Sequence, residues 1–247
     1  MPDEFRRILG IRFYTGDFAG LLDLTMNGGL ITVPSAPVLV DLANDPAHRE
    51  ALERCDFAIT DSGFMVMLWF LFHRERLPRI SGLRFMRGLL ERQEFRQPAA
   101  TFWVMPSEED ARANREWLRQ QGIPVAEDDC YVAPFYPAGS LDDPALLARI
   151  ERRRPRFVVL CIRGGVQERL GYGLRQHLPY RPTIVCTGAA IAFLSGQQTN
   201  IPGWADRFFL GWLIRSLSHP RSFPPRLWKA LRLAALIPRY GSRSVTE

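Results

Sequence analysis

A chain of 247 residues, 47% of them apolar, has the length of one large domain or two small ones and too much apolar content for disorder. Its formal net charge of +6 comes almost wholly from arginine and favours phosphates, anionic lipid or nucleic acid without choosing among them. The start of the chain, Met1 to Arg7, carries acids and no apolar core, so no secretory signal is expected.

In chain order, Leu30 to Val33 reads as a strand closed by Pro34, with Ser35 placed to cap a helix over Ala36 to Ala43. Asn44-Asp45-Pro46 starts a second helix through Arg54. Phe57 to Thr60 is a strand, and Asp61-Ser62-Gly63 is its exit into an apolar helix from Phe64 to Phe72. That run is too short to cross a bilayer, which takes about 20 residues. Arg79-Ile80-Ser81-Gly82 is a turn before a helix near Leu83 to Arg92.

Thr101 to Met105 is a strand, Glu108 to Gln121 a helix stopped at Gly122, and the surroundings of Val125 a weak strand. Asp142-Asp143-Pro144 caps a helix through Arg152. Phe157 to Ile162 is apolar without alternation, as a strand covered on both faces requires. It runs into Arg163-Gly164-Gly165 and then a helix from Gln167 to Leu178. Thr183 to Thr187 is the last strand, closed by Gly188.

Strands alternating with helices predict an α/β fold: a Rossmann-like, mostly parallel sheet flanked by helices. After Pro202 arginines and prolines dominate, so residues 1–203 read as the α/β core and 204–247 as a basic helical C-terminal appendage. Within it, Pro225 to Ile237 has a helical pattern, with Arg226, Lys229 and Arg232 on one face and Leu227, Leu231, Ala234 and Ala235 on the other. Such a helix suits an anionic membrane surface, with Trp228 at its border, or packing on its own domain.

Several chemistries lack their signatures. The four histidines lie far apart, with no H-E-x-x-H and no paired Cys/His spacing, so no metal site is expected. Walker A, the full G-x-G-x-x-G and G-x-S-x-G are all missing, as is a D-x-D motif. Cys55, Cys130, Cys161 and Cys186 are widely spaced and read as structural thiols of a reducing compartment. No basic-aromatic stacking motif supports nucleic-acid binding.

What remains clusters at strand exits, where ligands of open α/β sheets bind. Asp61 is the candidate base, or else a turn-forming carboxylate. Ser35 is an N-cap or a substrate contact. Gln167 and Glu168 bind a ligand or serve as first-turn residues. Arg79, Arg163, Arg215 and Arg221 are candidates for a diphosphate group, which guanidinium forks suit.

Four blocks carry a family resemblance. They are Val33-Pro34-Ser35-Ala36 through Arg49-Glu50-Ala51-Leu52 to Phe57 and Asp61; Arg79-Ile80-Ser81-Gly82; Val166-Gln167-Glu168; and Thr187-Gly188 through Gly196, followed by Pro202, Trp204, Trp212, Arg215, Pro220 and Arg221. The chain resembles the WecG/TagA/CpsF glycosyltransferases, as a divergent member. Ser35 stands where that family usually has Asn, Ser62 replaces a glycine, and Arg163-Gly164-Gly165 replaces Gly-Ser-Pro.

The resemblance implies an inverting, metal-independent transferase that needs no cofactor. It would move an N-acetylmannosamine-like sugar from a UDP-sugar to a polyprenyl-diphosphate-linked glycan. It further implies Asp61 as base, Gln167 and Arg79 in the substrate pocket, and Arg215 and Arg221 completing the site. The place of work would be cytoplasmic, peripheral on the inner face of the plasma membrane; homo-oligomerisation is left open. A catalytically inert partner of a polysaccharide assembly complex is the rival reading, motivated by the substituted loops.

Overall fold

The computed structural model describes residues 4–136, 141–197 and 228–246. Strands β1 (Phe5–Ile8) and β2 (Ile11–Tyr14) form an antiparallel hairpin, and helix α1 (Phe18–Thr25) follows. The sequence pattern gives no sign of these three. Arg6, Arg7 and Arg12 interrupt the apolar alternation. The hairpin turn is the two-residue kind, Leu9-Gly10, with φ positive at both (52° and 81°).

Then come β3 (Gly29–Thr32), α2 (Ala36–Val40), α3 (Pro46–Glu53), β4 (Phe57–Ile59), α4 (Gly63–His73) and α5 (Gly82–Glu91). They are followed by β5 (Thr101–Met105), α6 (Glu108–Gln120), β6 (Cys130–Val132), α7 (Pro144–Arg153), β7 (Phe157–Leu160), α8 (Val166–His177), β8 (Thr183–Cys186) and α9 (Ala190–Leu194). The last described helix is α10 (Leu233–Tyr240). The strand expected at Val125 is a correction. Val125 is buried, but in non-repetitive backbone, and the strand lies five residues later at Cys130.

The described strands make one sheet in the order β1-β2-β4-β3-β8-β7-β5-β6, parallel from β2 to β6. Alternate side chains feed two cores, as the strand period of two requires. Phe102, Val104, Val158 and Leu160 face α2, α3, α4, α7, α8 and α10. Trp103, Met105, Phe157 and Val159 face α1, α5, α6 and α9. All four cysteines are buried free thiols.

This topology places the site. Parallel strands send all their C-terminal exits to one edge. The helix after β5 lies on one face and the helix after its neighbour β7 on the other, which opens a crevice between their exits. The exits of β3, β4, β7 and β8 lie on that same edge.

The chain's end is bound into this body. Residues 228–231 are helical, and Ala230, Leu233, Ile237 and Val245 are buried in the first core. Lys229 Nζ pairs with Asp41 at 2.5 Å, and Gly241 O accepts from Leu9 N at 2.8 Å. The apolar face expected from the helical pattern is therefore corrected. Leu231 and Ala235 are exposed, and the buried face is instead Ala230, Leu233 and Ile237, which keep i, i+3, i+7 spacing; Leu227 lies outside the described residues. The expected boundary near residue 203 lies outside the described residues.

Candidate active site

Asp61 leaves β4 after one residue, half-buried, with its own N–H bonded to Ile59 O at 2.9 Å. Its carboxylate Oδ1 accepts from Gly82 N at 2.8 Å. Gly82 is the first residue of α5, so the carboxylate sits on the positive end of a helix, a place that suits an anion. Arg79 Nε donates to the Asp61 carbonyl oxygen at 3.1 Å, which puts its guanidinium at the same turn. Ser62 is spent on capping α4, accepting from Met65 N at 3.2 Å.

Close backbone contacts join this turn to its neighbours. A Cβ on Gly82 would lie 2.9 Å from Val33 Cγ1, so only glycine lets α5 start against the exit of β3. Two residues on, Ser35 occupies the N-cap position of α2 without making a capping bond, a correction to the capping expectation. The residue is half-buried at the edge. A Cβ on Gly164 would lie 2.8 Å from Val38 Cγ2, so the loop after β7 rests directly on α2. Asp61, Ser35 and the Arg163 loop are thus successive members of one rim.

Gln167 and Glu168 close that rim from inside. They are only 3% and 0% exposed, so neither presents a side chain to solvent as the sequence pattern suggests. Glu168 Oε2 accepts from Gly165 N at 2.6 Å, and its Oε1 from Gln167 Nε2 at 3.0 Å. Gln167 Oε1 accepts in turn from Gly188 N at 2.8 Å. A carboxylate only accepts, so it dictates which end of the Gln167 amide faces which loop. The pair locks the turn after β7 to the turn after β8.

Arg163 is exposed on the same loop, its carbonyl accepting from Val166 and Gln167 N–H groups. Arg215 and Arg221 lie outside the described residues. Cys161 and Cys186 sit beneath the rim, and burial pushes both thiols well above their usual range, which disqualifies them as thiolate nucleophiles. Among the described residues no group of three His, Cys, Asp or Glu side chains converges. The anchoring role of Gly82 escaped the sequence pattern; Ser81-Gly82 at a helix start was its one trace.

The family model for the glycosyl transferase WecG/TagA/CpsF family matches residues 6–244. The chain belongs to this family. The match spans all of the described sheet but Phe5 and takes in the segment around α10, and the α/β fold agrees with it. Among curated proteins, none matches the sequence. Membership makes the protein a glycosyltransferase-family member and supports a role in cell-surface polysaccharide synthesis.

Proposed function

We propose that this family member transfers an N-acetylmannosamine-like sugar from a UDP-sugar to a polyprenyl-diphosphate-linked glycan, with inversion and without a metal or cofactor. The acceptor hydroxyl attacks the anomeric carbon in line. A C–O bond forms, the bond to UDP breaks with its electron pair, and the hydroxyl proton passes to Asp61. Arg79 and Arg163 bring positive charge to the leaving diphosphate, and Arg215 and Arg221 add to it. Ser35 contacts the substrate through its uncommitted hydroxyl. Gln167 and Glu168 position the two glycine turns rather than supply charge to the reaction.

One observation carries this reading: a carboxylate anchored by Gly82 N–H at a sheet exit, on the same rim as the glycine turns that Gln167 bridges. We place the work on the inner face of the plasma membrane because the acceptor is lipid-linked. Among the described residues no helix is long and apolar enough to cross a membrane.

The test is a panel of UDP-sugars with a polyprenyl-diphosphate-linked acceptor, products read by mass spectrometry. The expected outcome is a transferred sugar with wild-type protein and none with Asp61→Ala. UDP binding without turnover on any donor would favour the inert assembly partner instead.

A further inference from the structure

Helix α4 is apolar on its inner and its outer side. Met65, Leu68 and Trp69 fill the core, while Met67, Phe70, Leu71 and Phe72 stand 53%, 40%, 52% and 44% exposed. Met67, Phe70 and Leu71 follow the i, i+3, i+4 spacing and make one outward stripe. A surface helix ordinarily turns charged or polar groups to that side, and a contiguous apolar stripe marks an interaction surface.

The charge beside the stripe in sequence is mainly cationic. No acid occurs from Gly63 to His73, and Arg74 and Arg76 follow directly. The Arg76 guanidinium lies 5.6 Å from the centre of the Phe70 ring. Glu75, the nearest acid in sequence, is half-buried and already paired, accepting from Trp69 Nε1 at 3.0 Å and from Arg6 Nε at 2.9 Å. On α10, which packs against α4, Arg239 is exposed, and Trp228 and Leu231 are exposed on the helical turn before it.

We infer that the outward stripe of α4 is a docking surface for an anionic lipid bilayer, with Met67, Phe70 and Leu71 entering the headgroup boundary and Arg74 and Arg76 meeting lipid phosphates. Apolar groups flanked by cations fit that environment. A second copy of the chain fits it worse, because the facing copy of α4 offers its cations no acid, Gly63 to His73 having none. This adds α4 to the lipid contact expected of the C-terminal segment, whose Trp228 and Leu231 are exposed. It rests on the reading of a lipid-linked acceptor, and α4 begins two residues after Asp61.

The experiment is co-sedimentation of the full chain with phosphatidylcholine vesicles, with and without phosphatidylglycerol. Binding is expected to require phosphatidylglycerol. Phe70→Ser with Leu71→Ser is expected to weaken it at least about tenfold, and Arg74→Gln with Arg76→Gln about fivefold per charge. A dye on Met67→Cys is expected to shift its emission to the blue on vesicles, which covers the case of a poorly folded serine variant.

Wild-type-like binding of the serine variant, or no emission shift, overturns the proposal. So does a dimer seen by sedimentation velocity that the serine variant dissolves while vesicle binding persists. Turnover on detergent-dispersed acceptor is read separately. Its absence beside intact vesicle binding removes the transfer reading and leaves the surface standing.

Discussion

The two sides of the rim solve the problem of polar groups at a sheet edge in opposite ways. At the exit of β4 the carboxylate of Asp61 is half-buried and tethered to Gly82 N–H through Oδ1. At the exits of β7 and β8 the carboxylate of Glu168 and the amide of Gln167 are fully enclosed and bonded to one another and to two backbone N–H groups. The first arrangement keeps an acidic residue part-exposed at the sheet edge. The second gives that up to hold two loops at a fixed separation. The two arrangements stand at different strand exits along one rim, although each involves an acidic residue within three positions of a strand end or a glycine turn.

Substitutions can break this contrast, beginning where the largest effect is expected. Glu168→Ala leaves the Gly165 N–H and the Gln167 amide without their buried acceptor, and should cost about 2–4 kcal/mol in denaturant unfolding. Glu168→Gln should fall short of full rescue, because its new NH₂ must meet one of two donors. A stability close to wild type in Glu168→Ala would remove the locking role. Gly82→Ala forces a methyl against Val33 and should cost about 1–3 kcal/mol, with Val33→Ala in the same chain restoring most of it. Failure of that rescue would show the contact is not what demands glycine.

Smaller effects sharpen the picture at the helix starts. Ser62→Ala removes the cap of α4 and should lower stability by about 1 kcal/mol. Ser35→Ala removes a hydroxyl that caps nothing and should stay within about 0.5 kcal/mol, while raising KM for the donor. Equal losses of stability at the two serines would return Ser35 to an ordinary capping role.

How far the sequence announced these features follows from their physics. β3, β4, β5, β7 and β8 were legible because central parallel strands are buried on both faces and so become uninterrupted apolar runs. β6 has only three residues at the sheet edge, two of them half-buried, too few to show a period. Proline and aspartate marked the starts of α3 and α7 one residue from where they fall, since those caps are local. Asp61 was legible for the same reason, as an acid directly after an apolar strand. The burial of Gln167 was not, because its partner Gly188 lies 21 residues away and only the folded sheet brings it near. Ser35 misled because its neighbours satisfy every local rule for a cap while its side chain makes no capping bond.

The most direct measurement compares wild type with Asp61→Asn, which keeps an oxygen for Gly82 N–H and loses the ability to take a proton. UDP affinity by calorimetry and turnover by mass spectrometry are read on the same preparation. Affinity is expected to hold while turnover falls about 10²–10⁴-fold. Turnover at the wild-type rate would contradict the assignment of Asp61 as the base.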